Sequence, residues 1–413
     1  MPKVEPVVIG GVDTHKDVHV AAVIDERGRL LGTSSFASSG KGSKELLTWM
    51  ASLGRLSKVG VEGTGAYGAG LSRYLAGRGV EVIEVIRPNR QARRRRGKSD
   101  VADAEAAARA VLSGEARVVP KTQAGIVESI RVLRVAFTSA RRSRSQVGLQ
   151  IRDLIVTAPE ELRRELGTLS ASARVARCAR FRPGGDPGNP LVATRLALRT
   201  LARRHLALSA EMAELESSLD ALTARANPAL RGAKGVGVDV AAILLVAAGD
   251  NPERMSSEAA FAALCGVSPV EASSGKVVRH RLNRSGNRQA NHALWRIVMV
   301  RMTCDPSTKA YVERRRAEGK SDREIMRCLK RYVAREVFGH LVRPGSVPAG
   351  ADLRQARLEA GLSLASVAGV LDSWPNRISE LERGIRHDTA LALGYAAMLA
   401  NIKSTATGVD NAA

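Results

Sequence analysis

Two aspartates three residues apart, Asp100 and Asp103, follow a run of cations made of Arg93, Arg94, Arg95, Arg96 and Lys98. Ser99 is a residue type that caps helices, and the alanine-rich run out to Leu112 has high helix propensity. Both carboxylates should therefore fall on the first turn and one face of a helix, where the helix dipole favours negative charge. A divalent cation could bridge them while the cations hold a polyphosphate close by. The plainer alternative is an acidic helix start behind a solvated basic run. Two further acids bear on the choice: Asp13 and Glu62 each end a short apolar stretch. Carboxylate oxygens from several elements suit Mg²⁺ or Mn²⁺, and a pair of such ions can clamp both sides of a phosphodiester.

A second candidate lies far along the chain. Ser273-Ser274-Gly275-Lys276 precedes a basic segment, and Asn283-Arg284-Ser285-Gly286-Asn287-Arg288 follows it. Small hydroxyls flanked by Lys276, Arg279, His280, Arg281 and Arg288 could approach a phosphate. A serine attacking phosphorus must lose its proton, and cations can stabilise the charge that develops on oxygen. The alternative is a Ser/Gly turn within a basic DNA-facing loop.

The elements that must position these groups can be read from periodicity. Residues 7–24 form an apolar run broken at Asp13-Thr14-His15-Lys16-Asp17, which predicts two strands, with residues 25–28 as a hairpin turn. A third strand over 28–36, a helix over 44–53, a strand over 58–62, a helix over 71–77 and a strand over 80–86 follow. The order β-β-β-α-β-α-β-α predicts an α/β domain with a mixed sheet. Asp13 and Glu62 then sit at strand ends, beside the crevice where open sheets bind ligands. His15 and Lys16 are either substrate-side groups or parts of a solvated turn.

Residues 122–169 read as helical and very basic, with Arg131, Arg134, Arg141 and Arg142 as candidate backbone-phosphate contacts. A Pro/Gly break over 183–190 precedes a helix over 191–226. Leu198, Leu201, Leu208, Met212, Leu215, Leu219 and Leu222 recur there at spacings of three and four, with His205 the polar exception. Such a seam fits either a coiled-coil partner or packing on the helix's own domain. Residues 228–249 place a Gly-Val-Gly turn before a helix, resembling one hairpin of a helix-hairpin-helix that holds DNA phosphate. Residues 313–335 read as an exposed basic helix pair.

The balance of 64 Lys and Arg against 41 Asp and Glu gives a formal net charge of +23, which implies a polyanionic partner, nucleic acid before anionic membrane. No apolar run approaches the ~18 residues of a membrane span, and residues 1–6 lack a signal-peptide pattern. The four cysteines are scattered without CxxC spacing, so neither a disulfide framework nor a zinc site is indicated. A reducing cytoplasm is the expectation. Aromatic residues are only 3%, so arginine contacts to phosphate should outweigh base stacking.

The motifs Gly11-Val12-Asp13-Thr14-His15-Lys16-Asp17, Glu62-Gly63-Thr64-Gly65 and Lys98-Ser99-Asp100-Val101-Ala102-Asp103-Ala104 resemble the DEDD motifs of the IS110 family of insertion-sequence transposases. Ser273-Ser274-Gly275-Lys276 and Arg284-Ser285-Gly286-Asn287-Arg288 resemble that family's C-terminal serine motifs. The resemblance implies a RuvC/RNase H-like α/β domain, then a mainly α-helical region with a coiled coil and a small transposase domain. It implies that Asp13, Glu62, Asp100 and Asp103 bind Mg²⁺, or Mn²⁺, and that Ser274, with Ser273 as the alternative, is the nucleophile. It further implies DNA as element ends, donor and target, a structured non-coding bridge RNA, and a homo-oligomer, dimer or tetramer.

Residues 353–395 depart from that family, and 354–384 within them resemble a Cro/C1-type helix-turn-helix, whose reading helix would present Asn376 and Arg377 to DNA. Trp374 and Pro375 are unusual there, so a protein-binding module is the alternative. The expected segments are 1–120, 121–227, 228–312, 313–350 and 351–400. The full candidate nucleic-acid set is Arg93, Arg94, Arg95, Arg96, Lys98, Arg131, Arg134, Arg141, Arg142, Lys276, Arg279, Arg281, Arg284, Asn287, Arg288, Asn376 and Arg377. A metal-dependent junction nuclease using water, or a non-catalytic DNA-binding regulator, are the competing readings.

Overall fold

The computed structural model describes residues 5–86, 99–275, 280–281, 283, 285–344, 348–385 and 388–409. Its first strand, β1 (Val7–Thr14), is the middle of a five-stranded sheet. β1 pairs antiparallel with β2 (Val18–Asp25), which pairs antiparallel with β3 (Leu30–Ala37). After α1 (Gly40–Ser52), β4 (Arg55–Glu62) lies parallel to β1, and after α2 (Ala69–Ala76), β5 (Glu81–Val85) lies parallel to β4. The spatial order β3-β2-β1-β4-β5 is the mixed sheet expected, and it is consistent with a RuvC-like fold. Helix α3 (Asp100–Leu112) follows, started by Ser99, whose hydroxyl accepts from the Ala102 N–H at 3.2 Å.

Both sheet faces are covered, which is why β1 and β2 read as near-continuous apolar runs. The pleat divides them. Val8, Val12, Val59 and Val61 pack with Leu46 and Met50 of α1 and Leu71 and Leu75 of α2. Ile9, Ile24, Ile83 and Val85 face Ala107, Ala108 and Val111 of α3.

α3 offers that face mostly methyl groups, so its hold on the sheet depends on close approach. Gly11 and Gly60 allow it. A Cβ on Gly11 would fall 2.1 Å from the Ala104 carbonyl oxygen, and one on Gly60 would fall 2.8 Å from that of Ala107.

The chain divides into two units, Met1–Gly125 with Ala248–Ser257, and Ile126–Ala247 with Glu258–Ala413. The second, mostly helical unit opens with α4 (Ile126–Val156), followed by α5 (Glu160–Gly167), α6 (Ala171–Ala179) and the 37-residue α7 (Pro190–Ala226). Val147, Ile151 and Ile155 of α4 share a core with Leu198 and Ala202 of α7. Leu198, Met212 and Leu219 of the expected seam are thus buried within this chain, the self-packing alternative.

Short α8 (Pro228–Gly232) and apolar α9 (Val238–Ala248) precede α10 (Glu258–Leu264). A two-stranded ribbon of β6 (Val270–Glu271) and β7 (His280–Arg281) leads to α11 (Arg288–Cys304), α12 (Pro306–Ala317) and α13 (Asp322–Val342). The expectation of an exposed helix pair over 313–335 is corrected. α13 buries Ile325, Leu329, Val333, Val337 and Leu341, a stripe recurring at every fourth residue and hidden in the sequence by the arginines and lysines between its members.

Four final helices, α14 (Gly350–Glu359), α15 (Leu364–Val370), α16 (Pro375–Glu382) and α17 (Thr389–Val409), share their own core. Inside it Arg357 binds Glu382 in two parallel bonds of 2.7 and 2.9 Å, and the Tyr395 hydroxyl donates to Glu382 at 2.7 Å. Among the described residues no helix is long and apolar enough to cross a membrane.

Candidate active site

Asp13 lies on the β1 face that α3 covers, two residues beyond Gly11. Because Gly11 and Gly60 let α3 lie against the sheet, the N-terminal turn of that helix reaches the end of β1. Asp103 is buried there and Asp100 stands at the exposed rim. His15 completes the arrangement: its Nε2 is 3.2 Å from Asp13 Oδ2 and 3.4 Å from Asp100 Oδ2. Glu62 ends β4, one register step past the Val12–Val61 pair, so it lies beside Asp13 in the sheet and on the same face. The turn that follows is fixed by Gly63 at φ +73 and by the Thr14 hydroxyl, which donates to the Glu62 carbonyl at 2.7 Å.

Among the described residues, acidic groups outnumber basic ones around Asp13. Burial pushes the Asp13 carboxyl above its usual range, and Asp103 and Asp100 push it the same way against the opposing pull of His15. Ligand atoms of Asp13, His15 and Asp100 lie within 4.8 Å of one another. Six-coordinate bonds of ~2.1 Å to a small dication would set neighbouring donors ~3.0 Å apart, close to the distances seen here. The donor set therefore fits a divalent cation.

The sequence leaves His15 open between a substrate-side group and a solvated turn, and does not mark it as a partner of the acids, yet it bridges two of them. The available signal was its position two residues beyond Asp13, which returns its side chain to the same face.

The serine motifs occupy the second unit. Ser273 and Ser274 are exposed and lie between β6 and β7, followed by Gly275 at φ +57. Their basic flank is partly described: Arg281 and Arg288 are exposed, whereas Lys276, Arg279 and Arg284 lie outside the described residues, as do Arg93, Arg94, Arg95, Arg96 and Lys98. Asn287 caps α11, its Oδ1 accepting from Gln289 and Ala290 at 2.9 and 3.1 Å. Gly286, at φ +92, packs so closely that a Cβ would fall 2.7 to 2.9 Å from backbone atoms of residues 263–266. That half of the motif thus anchors the far end of the serine segment.

The basic helix α4 divides by environment. Arg142 is exposed, and Arg131, also exposed, pairs with Glu128. Arg134 is a correction to the nucleic-acid set. Its side chain is 12% exposed and binds Asp239 at 3.3 Å and Gln289 at 2.8 Å, so it serves the fold. Arg141 and Arg296 also reach Asp239, at 3.2 and 2.6 Å. Burial raises the Asp239 carboxyl, but Arg296, Arg134 and Arg141 together hold it below its usual range. Asn376 and Arg377 are exposed at the start of α16.

A family described as transposases, the DEDD group of IS110, matches residues 10–158, and the family "Transposase IS116/IS110/IS902" matches residues 227–313. Together they span more than half of the chain, over both candidate centres. The chain belongs to the IS110 family of transposases. It is 30% identical over 174 residues to an insertion element IS110 protein of Streptomyces coelicolor, covering 41% of each chain. It is 28% identical over 148 residues to an insertion element IS900 protein of Mycobacterium paratuberculosis, covering 35% of this chain and 37% of that relative. The matched stretches thus span less than half of these relatives' lengths. A DEDD transposase domain suggests a divalent metal requirement, which the acidic group at the end of β1 can meet.

Proposed function

We propose that this protein is the DNA transposase of an insertion sequence, cutting and rejoining DNA with a metal centre in its first unit and a serine nucleophile in its second. One observation carries the reading most directly. Asp13, His15 and Asp100, from a strand end and a helix start, converge within ligand distance beside a buried Asp103, in a family of transposases.

Asp13, Glu62, Asp100 and Asp103 would hold Mg²⁺, or Mn²⁺, with His15 at the rim, and the ion would supply charge stabilisation at a phosphodiester. Ser274 Oγ forms a bond to phosphorus while the bond from phosphorus to the departing strand oxygen breaks. That oxygen leaves as a hydroxyl, so protons balance and the energy of the ester is kept for rejoining. Ser274 is favoured over Ser273 because it adjoins Gly275, whose left-handed backbone lets the segment turn toward a strand.

Exposed Arg131, Arg142, Arg281 and Arg288 would hold backbone phosphate without regard to sequence. The turn before α9 would hold another phosphate. Residues 350–409 are read as a Cro/C1-type helix-turn-helix, with Asn376 and Arg377 of α16 facing bases. Target choice would come from a structured bridge RNA pairing with donor and target DNA, and the working form would be a homo-oligomer on the cytoplasmic nucleoid.

The test is excision of the flanking element in cells expressing wild type, Asp100→Ala, Ser273→Ala or Ser274→Ala, with denaturing capture of protein–DNA adducts. Loss of excision in Asp100→Ala and loss of adducts in Ser274→Ala are expected. Full activity of Asp100→Ala would refute the metal centre. Adduct loss in Ser273→Ala alone would move the nucleophile by one residue. Cleavage that survives loss of both serines would favour the water-using nuclease.

A further inference from the structure

Beside the serine ribbon lies a cavity of about 340 Å³, of whose lining the roles above use only Arg281. One wall is the segment Gly266–Pro269 leading into β6, a second is Arg281 of β7 with Asn283, and the third is α13, from Arg327 to Tyr332. Among the described residues no carboxylate lines it. Arg281, Arg327 and Lys330 bring positive charge, while Arg331 is already paired with Glu258. The remaining wall is apolar and aromatic, formed by Val267, Pro269, Cys328 and Tyr332.

Lys330 is unusual among these cations because it is half-buried. Burial first, and then neighbouring Arg327, push its ammonium below the usual range. It donates to Asn291 Oδ1 at 3.0 Å, which leaves two of its three donors for another acceptor. Tyr332 is 54% exposed and is held edge-on by Tyr311, ring centroids 5.8 Å apart, so it stands as a fixed aromatic surface. One half-desolvated ammonium and two exposed guanidinium groups beside an apolar, aromatic wall suit an anion that carries a flat ring. The volume falls in the range of ~300–1,000 Å³ typical of small-ligand sites.

We propose that this cavity receives one nucleotide of the DNA strand next to the bond that the serine segment attacks, its phosphate on Arg281, Arg327 and Lys330 and its base against Tyr332, Val267 and Pro269. DNA is favoured over RNA because two of the walls are the two ends of the serine ribbon itself. Stacking on one aromatic is indifferent to base identity, so the pocket fixes strand position rather than sequence. The inference rests on the transposase reading for the identity of the strand, and its test is independent of the reaction.

Cys328 makes the occupancy measurable. It lines the cavity, whereas Cys304 is exposed elsewhere and Cys178 and Cys265 are buried. The full-length protein, without divalent metal, is treated with N-ethylmaleimide in the presence and absence of a 5′-phosphorylated deoxytrinucleotide. Modification is read by mass spectrometry at each cysteine. The expected result is a several-fold slowing at Cys328 with Cys304 unchanged. The protection should vanish in Lys330→Met and in exposed Arg327→Gln, and persist in Arg323→Gln, a control on the same helix.

An unchanged Cys328 rate, protection that survives both pocket variants, or protection by the ribo-trinucleotide alone would each overturn the proposal. Protection without excision by the wild type would keep the pocket and reject the transposase reading, while excision without protection would do the reverse.

Discussion

Burial and two neighbouring acids oppose a charge on Asp13, and among the described residues His15 offsets them. Two outcomes follow at this scale. Asp13→Asn removes one of the crowded charges, so the metal-free protein should melt no lower than wild type. It should also lose the rise in melting temperature that Mg²⁺ gives wild type, where a ligand at a hundred times its Kd adds about 2.7 kcal/mol. His15→Ala should lower the metal-free melting temperature and recover most of the loss when Mg²⁺ is added, both read by differential scanning calorimetry. The four acids were legible in the sequence because they end or begin periodic elements. His15 was not, since a histidine in a polar break looks the same whether it meets solvent or two carboxylates from other elements. Arg134 misled for the opposite reason: its partner Asp239 lies 105 residues away, and no local pattern records that pairing.

Elements are placed by what their surfaces permit. β1 and β4 each carry a glycine where α3 crosses, and the helix answers with alanines, so the approach of two acids to Asp13 depends on the absence of two methyl groups. Gly11→Ala should destabilise the first unit by at least about 1–3 kcal/mol, the usual cost of overpacking, and should blunt metal binding even though no ligand is changed. Urea unfolding followed by Mn²⁺ calorimetry would measure both. On the helical side, Glu336 of α13 binds Arg301 of α11 with bonds of 2.6 and 2.7 Å, and that hydrogen bonding, with His340 also contributing, pulls its carboxyl down to about 2. A depressed folded-state carboxyl gives stability that is present above the ordinary value of 4.5 and is lost as pH falls toward 2. Glu336→Gln should therefore melt below wild type at pH 7, with the difference shrinking between pH 4.5 and 2. The strands of the first unit were legible because short apolar runs bounded by charged and glycine-bearing turns stand out there, and its helices because a helical period separates them. The packing of α13 was not, because its apolar stripe is interleaved with charge that snorkels to solvent.

At the scale of the molecule, the chain leaves the first unit at Gly125 and returns to it over Ala248–Ser257. The return is a clasp. Asn251 donates to the Pro120 carbonyl at 3.0 Å and accepts from Thr122 N–H at 3.3 Å, Asp250 accepts from Gly125 N–H, and Arg254 donates to the Val119 carbonyl. Asn251 is buried, so Asn251→Ala should strand those backbone groups at a cost of about 1–3 kcal/mol. Hydrogen exchange should report the loss near Val118, where the chain bridges to Glu84 of β5. Sequence reading put residues 248–257 with the serine half, since nothing local marks a segment as belonging to a sheet more than a hundred residues earlier. The detour also sets a timetable. A ribosome adding ~5–20 residues per second finishes the four candidate acids early, then works for on the order of ten seconds before the segment that locks their unit emerges. Until then the nascent chain carries a set of mutually repelling carboxylates without its fastening, and the newly made protein closes its first unit only after the Ile126–Ala247 part of its helical half has been translated.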